Sequence, residues 1–125
     1  MKTSHDPRHK ARIAAMQDLF TWEFRKDKLD TEEAKKIVEN LSEIDEELTK
    51  AAPEWPINQI NRVDLAILRL AIFELIIKKD VPFKVVADEA VELAKEFGAE
   101  TSSSFINGVL GNVITAHHLE KEEKA

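Results

Sequence analysis

Histidines and carboxylates are the residues of this chain best suited to chemistry, and their spacing decides whether they perform any. His5 and His9 stand four apart, the interval that puts two imidazoles on one helix face, but Asp6-Pro7 falls between them and argues against a continuous helix there. His117 and His118 are adjacent, so they cannot chelate one ion from a single helix face. In DEAVE, residues 88 to 92, Asp88 and Glu92 share a face, yet with Lys84 and Lys95 beside them this is ordinary surface charge pairing. The chain has no cysteine, which excludes disulfides, thiolate nucleophiles and cysteine-ligated zinc. It also lacks a glycine-rich phosphate loop and a serine nucleophile motif. No enzyme, no cofactor and no metal are expected.

Charge is the more informative property. The net charge is −6, and residues 30 to 54 carry nine acids against three lysines, which accounts for all of it. Residues 1 to 12 are the opposite: Lys2, Arg8, Lys10 and Arg12 stand against Asp6 alone. Local charge decides whether an anionic partner is attracted, so an acidic face and a basic end can coexist in one acidic protein.

The elements that must position these groups are helices. No stretch alternates as a strand would, and nearly every segment has helical period, so the fold class is all-α. Asp6-Pro7 supplies an N-cap and a first-turn proline, after which Ile13, Met16, Phe20 and Phe24 recur at three- and four-residue intervals. Asp30-Thr-Glu-Glu33 has the form of a capping box and opens one amphipathic helix running to Ala52-Pro53 with a strongly acidic back. After the connector APEWP, the stretch from Val63 to Ile77 is apolar on almost every side, as a central helix covered by its neighbours must be. A further helix closes at Gly98, expected as a left-handed cap, and Thr101 or Ser102 caps the last one. Residues 1–125 form one domain, with 6–52 as an N-terminal helical part, 57–118 as a C-terminal part and 119–125 as a frayed tail. The N-terminus lacks a signal peptide's apolar run, and LAILRLAIFELII is too short to span a bilayer and carries Arg69 and Glu74, so a cytoplasmic protein is expected.

The last helix poses a question: the chain has three glycines, and two of them, Gly108 and Gly111, lie inside the apolar FINGVLGNVI. A helical glycine costs about 1 kcal/mol relative to alanine, so close approach of another helix is expected at Gly108. In this region the sequence resembles a known family. NRVDLAILRLAIFELIIKKDVPFKVVADEAVELAKEFGAETSSSFINGVLGNVI, residues 61 to 114, closely resembles the C-terminal half of the NusB family of bacterial transcription antitermination factors. RHKARIAAMQDLFTWE, residues 8 to 23, resembles the family's first helix, and together they cover about 70 of the 125 residues.

The resemblance implies an all-helical bundle of two small subdomains that pairs with ribosomal protein NusE, binds boxA-type single-stranded RNA and helps RNA polymerase on ribosomal RNA operons resist termination. It implies an RNA surface made of Arg8, Lys10 and Arg12, the turn residues Phe97 and Thr101, and Phe105. A ring beside an open helix N-terminus can stack on an unpaired base while N–H groups and hydroxyls meet phosphate. It also implies a NusE-facing surface in INQINRVDLAILR, with Asn58, Gln59, Arg62 and Asp64 as its exposed polar residues. The free protein is expected as a monomer or homodimer. Ser104 stands where the family often has a basic residue, Thr101 where aspartate is common, and the chain is shorter than its relatives between Trp22 and Leu41. Two alternatives stay open. One is the NusB-like RNA-binding domain that some RNA cytosine methyltransferases carry ahead of their catalytic domain, disfavoured because no methyltransferase sequence follows. The other is a helical protein-interaction adaptor without RNA binding.

Overall fold

A computed structural model describes residues 6–124, with side chains to residue 123, so Lys2 and His5 lie outside the described residues. Seven α-helices make up these residues: α1 (Pro7–Arg25), α2 (Glu32–Glu39), α3 (Leu41–Ala51), α4 (Arg62–Phe73), α5 (Phe83–Phe97), α6 (Ser102–Ala116) and α7 (Leu119–Lys124). A short 3₁₀ turn, Ile57–Gln59, precedes α4, and a π turn, Glu74–Lys78, prolongs it.

Local chemistry sets most of these boundaries. Asp6 accepts the Arg8 N–H at 2.9 Å with Pro7 at the first position, and Lys26 closes α1 in a left-handed conformation. Asp18 on α1 accepts from the N–H groups of Asp30 and Thr31 and from the Thr31 hydroxyl, and Thr31 in turn caps α2 through the Ala34 N–H. Thr31, rather than Asp30, is therefore the cap. The single helix expected from 31 to 52 is broken at Asn40, whose side-chain amide donates to the Lys36 carbonyl and whose N–H also turns back to that helix end. Asn61 caps α4 by accepting from Val63 and Asp64.

Helix α4 is the centre of the fold, buried along all but its first turn and packed by α1, α2, α3, α5 and α6. Leu65, Ile67, Leu68, Leu70 and Ile72 join Leu19, Ile37, Ile44, Leu48, Leu93, Ile106 and Leu110 in one continuous apolar core. Asn112 of α6 donates to the Ala51 carbonyl at 2.8 Å and so completes the end of α3 from outside. Leu119–Lys124, expected as a frayed tail, is helical: Leu119 is buried, and Glu123 accepts the Phe83 N–H at the start of α5.

The glycines exchange roles relative to expectation. Gly98 is extended (φ −92°, ψ −172°), not left-handed, and its importance is spatial: an added Cβ would lie 2.7 Å from the Ser102 side chain and 2.8 Å from the Ala94 carbonyl. Gly108 has nothing within 4 Å of an added Cβ, so no helix approaches it, and Gly111 is equally open. Gly98→Ala should therefore destabilise by about 1–3 kcal/mol through overpacking. Gly108→Ala should stabilise by up to about 1 kcal/mol through helix propensity. Urea unfolding midpoints at unchanged slope check both, and a Gly108→Ala loss matching that of Gly98→Ala would show a close contact at α6.

Candidate functional site

The first turn of α1 is fastened to α5 by a cluster of charged side chains. His9, Arg12, Met16 and Leu19 fall on one stripe of α1, and the apolar core continues into the polar cluster along it. The His9 ring lies between two carboxylates of α5, with Nδ1 3.3 Å from Glu89 Oε1 and Nε2 3.2 Å from Glu96 Oε1. Arg12 forks onto Glu74 through Nε and Nη2, both at 2.9 Å, and reaches Glu89 through Nη1 at 3.1 Å. Burial pulls the Arg12 pKa down, but its hydrogen bonds and proximity to Glu74 and Glu89 outweigh this and hold it above the ordinary value. Arg12 was expected as an RNA contact; its side chain is 11% exposed and its guanidinium is engaged by two internal carboxylates. Arg8 and Lys10 are exposed on either side of buried His9.

Glu96 precedes Phe97, so the same clamp sets the basic turn beside the α5–α6 connection. There the buried Ser102 hydroxyl accepts the Ala99 N–H at 2.9 Å, and the same side chain favours the charged form of Asp64 on α4. Ser102 thus holds the turn from below, while Thr101 is exposed and makes no side-chain cap. Phe97 and Phe105 are half-buried at the core edge. Phe105 meets Trp55 edge to face, with ring centroids 6.1 Å apart and planes at 76°. Trp55 is half exposed and went unrecognised as a neighbour of this turn, because nothing in APEWP ties it to residue 105 in sequence. A shallow polar groove between α5 and α6, lined by Asp88, Glu92, Lys95, Ser103, Ser104 and Asn107, continues the surface outward.

The surface expected to face a protein partner is only partly open. Asn58 and Gln59 are exposed. Arg62 is turned inward: its guanidinium donates to the carbonyls of Ile57 and Ile60 and reaches Glu23 at 3.1 Å. Asp64, expected as an exposed acid, is 6% exposed, and Oδ1 has no hydrogen-bond partner among the described residues. Burial pushes its carboxyl above the usual aspartate range, against a smaller opposing effect of the Ser102 hydroxyl. His117 bonds Glu47 at 2.7 Å. The described residues contain no cluster of three or more His, Asp or Glu arranged to hold a metal, and no helix long and apolar enough to cross a membrane.

Comparison with known proteins places this arrangement in context. The sequence pattern of the NusB family matches residues 9–115. The transcription antitermination protein NusB of Chloroflexus aggregans is 42% identical over 137 aligned positions, covering 92% of this chain and 91% of that one. The alignment is longer than this chain, which therefore lacks residues its relative has. The solved structure of NusB from T. maritima superimposes with a TM-score of 0.81 at 36% identity over the full length of both chains. A structure of the antitermination factors NusB and NusE in complex with dsRNA matches with a TM-score of 0.75 at 27% identity, covering 87% of this chain and 96% of that one.

Removing Arg12 leaves Glu74 and Glu89 buried without their shared cation. Arg12→Ala should therefore cost about 3–5 kcal/mol, far more than loss of a surface charge. Denaturant unfolding measures it, and a change below about 1 kcal/mol would show that Arg12 is a solvated surface cation.

Proposed function

The chain belongs to the NusB family, and from this we propose that it is a transcription antitermination factor that binds boxA-type single-stranded RNA together with ribosomal protein NusE. In this reading it acts as a non-catalytic RNA-binding subunit on nascent ribosomal RNA in the cytoplasm, with residues 6–52 and 57–118 as the two helical parts of one domain. One observation carries the proposal: His9 reaches Glu96, the residue before Phe97, and so ties the first turn of α1, where Arg8 and Lys10 are exposed, to the end of α5 from which the turn to Thr101 and Phe105 departs. Cations for phosphate, rings for base stacking and a hydroxyl then share one end of the bundle. Arg12 supports that surface from beneath. Asn58 and Gln59, both exposed just ahead of α4, are the residues offered to NusE.

The energetics suit a site that a partner completes. A stacked base contributes about 1–3 kcal/mol, and each phosphate neutralised adds about −0.7 to the slope of log affinity against log salt on a single strand. A few such contacts give modest, salt-sensitive affinity, which NusE raises by adding contacts of its own. The structural relative was captured with NusE and double-stranded RNA, which supplies a specific second reading, that the surface takes a duplex.

Fluorescence anisotropy with labelled boxA-type RNA, single-stranded and as a duplex, with and without NusE at two salt concentrations, tests the proposal. The expected result is salt-dependent binding of the single strand that tightens when NusE is added. Phe105→Ala should weaken it by about 5- to 150-fold, the equivalent of one stacked base, with little change in the unfolding midpoint. Preference for the duplex would replace the single-strand reading, and no binding by the folded protein in any arm would overturn the proposal.

A further inference from the structure

The His9 ring has carboxylate oxygens at both of its nitrogens, Glu89 at Nδ1 and Glu96 at Nε2. A neutral imidazole carries one N–H donor, so one of its nitrogens would present a lone pair to a carboxylate. Only the doubly protonated ring donates to both. The surroundings agree in sign: His9 and Arg12 are the cations, and Glu74, Glu89 and Glu96 are the acids that face them. From α1 the ring meets Arg12 as the co-occupant of Glu89, with Asp6, Arg8 and Lys10 on the same turn. From α5 it meets Glu89 and Glu96, and Glu74 at the end of α4 acts through Arg12. Glu89 has a further interaction besides these. Losing the imidazolium proton takes positive charge from between Glu89 and Glu96 and removes one of the two hydrogen bonds by which the ring joins α1 to α5.

We infer that His9 is a positioning residue whose protonated ring docks the first turn of α1 against α5, so that the placement of Arg8 and Lys10, and with it affinity for an RNA strand, is set by pH. The RNA half of this inference rests on the proposed function; the docking half does not. Burial alone would lower the pKa of the ring, but its hydrogen bonds and proximity to Glu89 and Glu96 prevail and raise it above the ordinary 6.5. The sign follows from linkage: a raised native pKa makes the docking contribution complete below about 6.5, and the contribution is lost as pH rises through the native value. RNA affinity should therefore fall from mildly acidic toward alkaline pH, by at most about tenfold per pH unit for one linked proton.

Two measurements test this on the full chain. The first is anisotropy with the boxA-type single strand and NusE between about pH 6 and pH 8.5 for the wild type, His9→Gln and His9→Arg. The wild type should lose affinity several-fold across this range. His9→Gln should bind weakly with that part of the pH dependence gone. His9→Arg, a permanent cation between the same two carboxylates, should bind well at both ends. A His9→Gln profile parallel to the wild type's, from a folded variant, overturns the inference and leaves the RNA reading standing. The second measurement needs no RNA: an NMR titration of the His9 ring together with amide exchange in the first turn of α1. The ring should titrate above 6.5, with protection of the Lys10 amide lost at the same midpoint. A ring that titrates at or below that value, or protection indifferent to its titration, overturns the docking role even if RNA binds. If no RNA binds at any pH, the affinity half fails with the proposed function, and the titration alone decides the docking.

Discussion

A helix enclosed by its neighbours keeps a full charge only where they deliver an opposite one, and α4 with its π turn has two such pairs, at Arg69 and Glu74, whereas burial pushes the carboxyl of Asp64, near the start of α4, above its ordinary pKa. Arg69 is answered by Asp45 of α3, at 3.0 Å and 2.9 Å, and by Glu23 of α1 at 2.6 Å. Glu74 is answered by the fork of Arg12. Each pair tolerates one placement of the helix that supplies the partner, because a slip of one turn would leave a buried charge alone at a cost of several kcal/mol. Apolar contact holds α1 and α3 against α4, but these pairs fix where along α4 they sit. The electrostatics carry the same imprint: Arg69 is kept above its ordinary pKa by Asp45 and Glu23 against the pull of burial, and Arg69 in turn holds Glu23 below the usual carboxylate range despite the opposing effect of burial.

The functional end of the bundle follows from that registration. Once Arg12 is seated on Glu74, His9 lies one turn earlier and meets α5 at Glu89 and at Glu96, next to the residue where the turn to α6 begins. Ser102 closes the turn by accepting the Ala99 N–H, and α6, which it begins, packs on the same central helix. In the proposed reading, two elements far apart in sequence compose one surface because both are referenced to α4. At the other side, Glu32, Glu39, Glu43 and Glu46 lie exposed on α2 and α3. In the proposed reading these acids repel a polyanion, so that local rather than net charge decides where RNA binds, and the net charge of −6 is compatible with such a partner.

Much of this was legible in the sequence. Helical period, the cap at Asp6 and the saturated apolar stretch from 63 to 77 foretold an all-helical bundle around one central helix. The break at Asn40 was not legible, because Ile37, Leu41, Ile44 and Leu48 keep helical spacing across it and the competing bonds of Asn40 are too local to alter the pattern. The resemblance placed Arg12 and Asp64 on exposed surfaces, and the structure buries most of both. The correcting signal was register: Arg12 precedes Met16 and Leu19 by four and seven residues, and Asp64 precedes Leu68 by four, so both extend buried stripes. Gly98 shows the reverse limit, since its crowding by Ser102 depends on how tightly the turn closes and no composition encodes that distance.

The central claim is that the first turn of α1 and the α5–α6 turn are one RNA-binding surface, and amide chemical-shift mapping tests it most directly. Adding boxA-type single-stranded RNA to ¹⁵N-labelled protein with NusE already bound should shift residues 8–12 and 97–105 together, with a common saturation curve, and leave α2 and α3 unmoved. Shifts confined to one of the two segments, or centred on the acidic helices, would contradict the account.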